Sequence, residues 1–143
     1  MPGPHFLGMT RRTDWRSALH SYLAANQDTP YSPGTWDCSM FAAGAVEAMT
    51  GTDYAADYRG EYETVAEGET LLAADGYADQ VALVAAHFDQ VPPALARVGD
   101  IAVVEQGGVK GLGIVIGSSV AVVSDTRGIG HLRLTRATRA FRV

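Results

Sequence analysis

Apolar and polar positions alternate along this chain with two different periods. Over residues 14–25, Trp15, Ala18, Leu19, Tyr22 and Leu23 recur at the spacing of one helix face, and Thr13 or Asp14 can cap the start. The segment NQDTPYSPGT then breaks the chain with two prolines and a glycine. A second helix is predicted over residues 38–50. Asp37 suits its N-cap, Phe41, Ala42, Ala45, Val46 and Met49 form a buried stripe, and Gly51 supplies the stop. Its alanines and Gly44 allow another element to approach closely. The acidic stretch after it carries Tyr54, Tyr58 and Tyr62 four residues apart, the spacing of one helical face, which anchors this segment on the domain. Arg59-Gly60 reads as a tight turn whose guanidinium pairs with an acid. Residues 69–75 read as a short helix ended by Gly76. Residues 77–88 read as another, although VALVAAHF also fits a strand. VPPALARVGD reads as a linker.

From Asp100 the period changes. IAVVEQ, GLGIVIG, VAVV and HLRL are short β-branched runs separated by turn residues, the pattern of a four-strand antiparallel meander. Three of the runs are apolar on both faces, which calls for a curled sheet with something packed outside it. TRATRAFRV adds a turn of helix and a last short strand. Helices first and strands second make an α+β domain. Residues 1–12, with prolines and glycines and no periodicity, read as an N-terminal arm, and residues 13–143 as a single domain.

The chain has 143 residues and a formal net charge of −5. That length buries roughly two-thirds of the unfolded surface, enough for a core without disulfides or metal. The negative balance argues against nucleic acid as a partner, which needs clustered positive charge. Arg127, Arg133, Arg136, Arg139 and Arg142 crowd the C-terminal end and read as a solvated or interface-facing tail. One cysteine makes no internal disulfide. No apolar run resembles a signal peptide or a membrane span, so synthesis in a cytoplasm is expected. No metal or cofactor is implied. Asp53, Asp57, Glu61 and Glu63 lack the ladder of a calcium loop, there is no Cys/His metal set, and the glycines at 107, 108, 111 and 113 do not precede a helix.

Cys38 is the candidate for chemistry. A helix N-terminus stabilises a thiolate through its unpaired N–H groups and dipole, and Cys38 directly follows the predicted cap. Catalysis also requires a base, usually histidine, and often a polar group to orient it. Cys38 equally lies on the buried stripe, where a free cysteine packs as a small apolar residue. Position alone leaves both readings open.

The stretch WDCSMFAAGAV resembles the Asp-Cys-Ser helix start of the NlpC/P60 superfamily, papain-like cysteine peptidases and amidases, many of which cut bacterial cell-wall peptides. RVGDIAVVEQ is similar to the strand that opens their β half, and GLGIVIG to the strand that carries their catalytic histidine. A nearer similarity is to a group of small phage and prophage proteins. It is carried by Trp15, Trp36 to Cys38, the segment from Thr50 to Tyr62, Gly99-Asp100 and Ala140 to Val143. The resemblance implies a papain-like NlpC/P60-type fold, N-terminal helices packed on a C-terminal four- to six-strand antiparallel sheet. It implies Cys38 at the nucleophile position, with Trp36, Asp37, Ser39 and Gly111 as the binding positions around it. One departure stands out: Gly111 falls where the enzymes have their histidine, and their third polar residue falls near Ser124. Glycine takes no proton, so a general-base contribution of typically 10²–10⁴-fold is missing. The implied function is a tail-associated structural protein of a phage or prophage on an inactive fold. Its partners would be other tail proteins, and its location the host cytoplasm and then the virion tail. The alternative is an active peptidase or amidase on peptidoglycan peptides, with Cys38 as nucleophile, His131 as base and Ser124 or Asp125 orienting it. A weaker alternative is a module that binds a cell-wall peptide without cutting it. His5, His20 and His87 read as surface or packing residues.

Overall fold

The helix that carries Cys38 has local signals at both ends. Asp37 holds an extended backbone and its carboxylate accepts from Met40 N–H at 2.8 Å, while Gly51 turns into the left-handed region with φ 85° and its N–H reaches Glu47 C=O. The computed structural model describes residues 10–143, and these form four helices and six strands. The helices are α1 (Trp15–Ala25), α2 (Cys38–Thr50), α3 (Val65–Ala74) and α4 (Gln80–His87). The strands are β1 (Gln90–Val91), β2 (Ile101–Gln106), β3 (Val109–Val115), β4 (Ser119–Val123), β5 (Ile129–Arg133) and β6 (Ala137–Phe141). The proposed arm lies largely outside the described residues, as does His5. Arg11 and Arg12, assigned to the arm by sequence, are held by the domain: Arg12 N–H donates to Met49 C=O at 2.7 Å, and Arg11 packs over Trp15.

α2 is buried on nearly every side, from Met40 to Val46 and at Met49, rather than along a single stripe. One side packs on α1, where Tyr22 lies against Gly44 and donates its hydroxyl to Phe41 C=O. α3 starts at Val65, four residues before the sequence expectation. Thr64 and Glu67 form a reciprocal cap there, Thr64 Oγ1 accepting from Glu67 N–H and Glu67 Oε1 accepting from Glu63 N–H. VALVAAH is helical, capped by Asp79, and Phe88 ends the helix in an extended conformation. The tyrosine segment before α3 is a series of turns and no helix, yet it anchors as expected: Tyr58 donates to Asp75 and Tyr62 to Asp37. Arg59 pairs with Asp53 at 2.8 Å beside the turn at Gly60.

The sheet is antiparallel with strand order β1-β6-β2-β3-β4-β5. The meander of β2 to β5 matches the sequence pattern. β6 departs from it by returning along the far side of β2, with Phe141 opposite Ile101. One face of the sheet, including Ile101, Val103, Leu112, Ile114 and Phe141, packs on the helices. The other, Ala102, Val104, Val115 and Val120, is extended sideways by Leu132 of β5 and Ala137 of β6, with Ala96 and Leu134 packed against it from outside the strands.

Asp100 is fully buried and takes four donors: Arg11, Arg142, Arg97 N–H and Val143 N–H. Gly99 before it has φ 93°, with the Met49 sulfur and the Arg11 guanidinium where a side chain would be. The Gly-Asp pair therefore clasps both ends of the domain. This corrects the reading of the arginines as a solvated or interface-facing tail for Arg139 and Arg142, while Arg127, Arg133 and Arg136 are exposed. Arg142 is a structural ion-pair partner at 2.9 Å, Arg139 binds Gln90 and lies over Phe141, and Arg136 donates to Glu105 C=O.

Candidate functional site

The N-terminus of α2 opens into a cleft of about 810 Å³ between the sheet, α3 and α4. Two ties create it. Tyr31 N–H donates to Thr126 C=O and Gly128 N–H to Thr29 C=O, so the tip of the β4–β5 hairpin is bound to the α1–α2 loop. β4 is thereby drawn away from β3, and the two strands pair only at Ile114–Ala121 and Val115–Val120. The parts of β3 and β4 beyond that pairing line the cleft together with Cys38.

Cys38 is half-buried, and its thiol donates to Gln80 Oε1 at 3.2 Å. Ser39 Oγ donates to the same oxygen. The Gln80 amide donates from Nε2 to Lys110 C=O at 3.3 Å. A carbonyl can only accept, so Gln80 must present its NH₂ to Lys110 and its oxygen to Cys38. In this arrangement the S–H has an acceptor. Burial pushes the Cys38 thiol above its ordinary range; hydrogen bonds with the Leu112 backbone, the Gln80 side chain and the Ser39 backbone offset part of the rise, and the Asp37 carboxylate adds to it.

Asp37 is occupied structurally, taking Gly34 N–H, Met40 N–H and the Tyr62 hydroxyl. Burial, and then the bond to Asp37, push the Tyr62 phenol above its usual range. Of the residues singled out from sequence, Asp37, Cys38, Ser39, Gly111 and Asp125 line the cleft. Trp36 does not. It is 5% exposed and packs between Tyr22 and Phe41 in the core. Ser124 lies in the turn after β4, bonded to Thr126. His131 is exposed on β5, opposite Ala121 of β4, and outside the cleft. His20 is exposed on α1, and His87 binds Leu83 C=O and stacks near Tyr54. Among the described residues, no histidine lines the cleft. Sequence reasoning missed Gln80, which meets Cys38 across 42 residues of chain. Its only local signal is its place after the Asp79 cap.

Gly111 is open. A β-carbon there meets only Val104 Cγ2, at 4.0 Å. Among the described residues no set of His, Cys, Asp or Glu is gathered for a metal ion, and no helix is long and apolar enough to cross a membrane.

Fold and site together define an α+β domain with one thiol at a helix start, in a cleft that no histidine of the described residues lines. A family model, described as a domain of unknown function (DUF6950), matches residues 10–143, and the chain belongs to that family. Comparison with curated proteins found no match.

Proposed function

We propose that this chain is a non-hydrolytic domain of papain-like, NlpC/P60-type ancestry that serves as a tail-associated structural component of a phage or prophage. The observation that carries the non-hydrolytic part is the Gln80 oxygen held against the Cys38 thiol, where a hydrolase needs a base. The ancestry is supported by the α+β order of elements, by Cys38 at the start of a central helix, and by Gly111 on the strand that would carry the histidine. The tail-associated role rests on the similarity at Trp15, Trp36 to Cys38, Thr50 to Tyr62 and Ala140 to Val143.

Alkylation by iodoacetamide across pH 5–9 tests the thiol. The expected profile is slow and rises only above the ordinary thiol range near pH 8.5, because the raised folded-state value keeps S–H at neutral pH. A plateau of fast labelling below pH 7, or clearing of peptidoglycan that disappears in Cys38→Ala, would establish an enzyme instead. A β-carbon at Gly111 falls on the Val104 face of the sheet, opposite the one that packs on α2, so Gly111→His is expected to leave the Cys38 alkylation profile unchanged. Mass spectrometry of purified particles tests the location: a chain missing from tails has no structural role there.

A further inference from the structure

Strand β3 is treated differently on its two edges. β2 pairs it along the whole run from Val109 to Ile114, whereas β4 pairs it only at Ile114 and Val115. Beyond that fork, Lys110 and Leu112 turn their backbone polar groups into the cleft. Lys110 C=O is met by the Gln80 side chain, and the Leu112 backbone by the Cys38 sulfur. Residues i and i+2 on one strand edge, about 6.8 Å apart, are the groups that a neighbouring strand reads. Folded proteins usually cover or blunt such an edge. This one is held by two side chains, and its bond to Gln80 is exposed to solvent and open to exchange.

The lip of the same cleft gathers apolar surface. Four large apolar residues of the described chain are exposed, and Tyr31 (37%), Val65 (57%) and Val109 (71%) all stand on this lip. Apolar exposure concentrated around one concavity marks a contact site. The rim is acidic: Glu69, Asp79 and Asp125 face a single basic residue, Lys110, which pairs with Asp79 at 4.0 Å.

We propose that the cleft takes an extended segment of another protein by strand addition to β3. The segment's backbone replaces the Gln80 side chain at Lys110 and pairs at Leu112. Its apolar side chains lie against Tyr31, Val65 and Val109, and a basic residue at one end meets Glu69 or Asp125. Backbone pairing supplies affinity and the lip supplies selectivity. A sugar, or a branched cell-wall peptide, lacks the regular alternation of N–H and C=O that this edge presents. The proposal rests on the reading of Cys38 as an uncharged thiol, whose contact with the Leu112 backbone the segment displaces, and it names the partner of that site.

The test uses the full chain labelled with ¹⁵N. It is titrated to millimolar concentration with a pool of capped heptapeptides, lysine at both ends and Val, Thr, Leu or Tyr between. Shifts are expected at the Lys110 and Leu112 amides, the Gln80 side-chain amide, Val65 and Val109. Two further pools carry N-methyl groups at odd or at even positions. Strand addition uses one set of N–H groups, so one methylated pool should lose about tenfold or more in affinity while the other retains it. Val65→Asp and Val109→Asp change exposed side chains and should weaken binding with the fold intact. Equal effects of the two methylated pools would overturn the proposal, as would no cleft shifts. Shifts from a muropeptide and none from the linear pools would overturn it in favour of a cell-wall ligand. Alkylation of Cys38 in the same samples reads the non-hydrolytic proposal separately: fast labelling defeats that one and leaves the shifts to decide this one.

Discussion

Tyr54 shows how a single residue can work against its own fold. Its hydroxyl is buried with no partner among the described residues, while its ring packs against Phe88 and His87. An unpaired buried hydroxyl costs about 1–3 kcal/mol, so Tyr54→Phe is expected to raise stability by about 1 kcal/mol in urea unfolding. Burial first, then the charge on Asp53, push the phenol far above its ordinary value. The folded value thus exceeds the unfolded one near pH 10, so the neutral phenol's contribution is complete below pH 10 and is lost as pH climbs beyond it. Tyr54→Phe should flatten that alkaline loss. A less stable Tyr54→Phe would mean that the hydroxyl has a partner. Cys38 teaches the same lesson on the functional side. Its helix-start position was legible in the sequence, but its chemistry depends on Gln80, and no spacing rule connects residues 38 and 80.

At the scale of elements, the α1–α2 contact decides how α2 is seated. Gly44 lets Tyr22 lie flat on α2, and a β-carbon there would collide with the phenol. Alanine favours a helix by about 1 kcal/mol over glycine, while overpacking costs about 1–3 kcal/mol. Gly44→Ala is therefore expected to destabilise by about 1 kcal/mol, read as a lower urea midpoint, and Tyr22→Phe in the same chain should recover part of it. A stabilised Gly44→Ala would show that Tyr22 moves without penalty. Elements were legible where both ends carry local signals. α2 was bounded to the residue because Asp37 and Gly51 act on their own neighbours. α3 starts earlier than its sequence pattern suggests because the Thr64–Glu67 cap sets its first turn.

At the scale of the molecule, Asp100 joins the segment before α1, the strand entry and the C-terminal end through Arg11, Arg97, Arg142 and Val143. Removing one partner of a buried ion pair costs about 3–5 kcal/mol because charge is left without compensation. Asp100→Asn is expected to lose an amount at the lower end of that range in urea unfolding. Arg142→Ala, at the partly exposed side of the clasp, should lose less. A loss below about 1 kcal/mol for Asp100→Asn would show that the clasp does not hold the ends together.

Local physics accounts for every feature that could be read from the chain before it folds. The helix periods, the caps at Asp37 and Gly51, the turn at Arg59-Gly60 and the meander from β2 to β5 all follow from interactions between near neighbours in the chain. Tertiary structure alone decided the return of β6 to the far side of β2, the clasp at Asp100, the burial of Trp36 and the meeting of Gln80 with Cys38. It also decided that β4 leaves β3 early and opens the cleft, because loop residues 29–31 bind the hairpin tip. Each of these joins residues far apart in sequence, and only the packed chain brings their donors and acceptors within bonding distance.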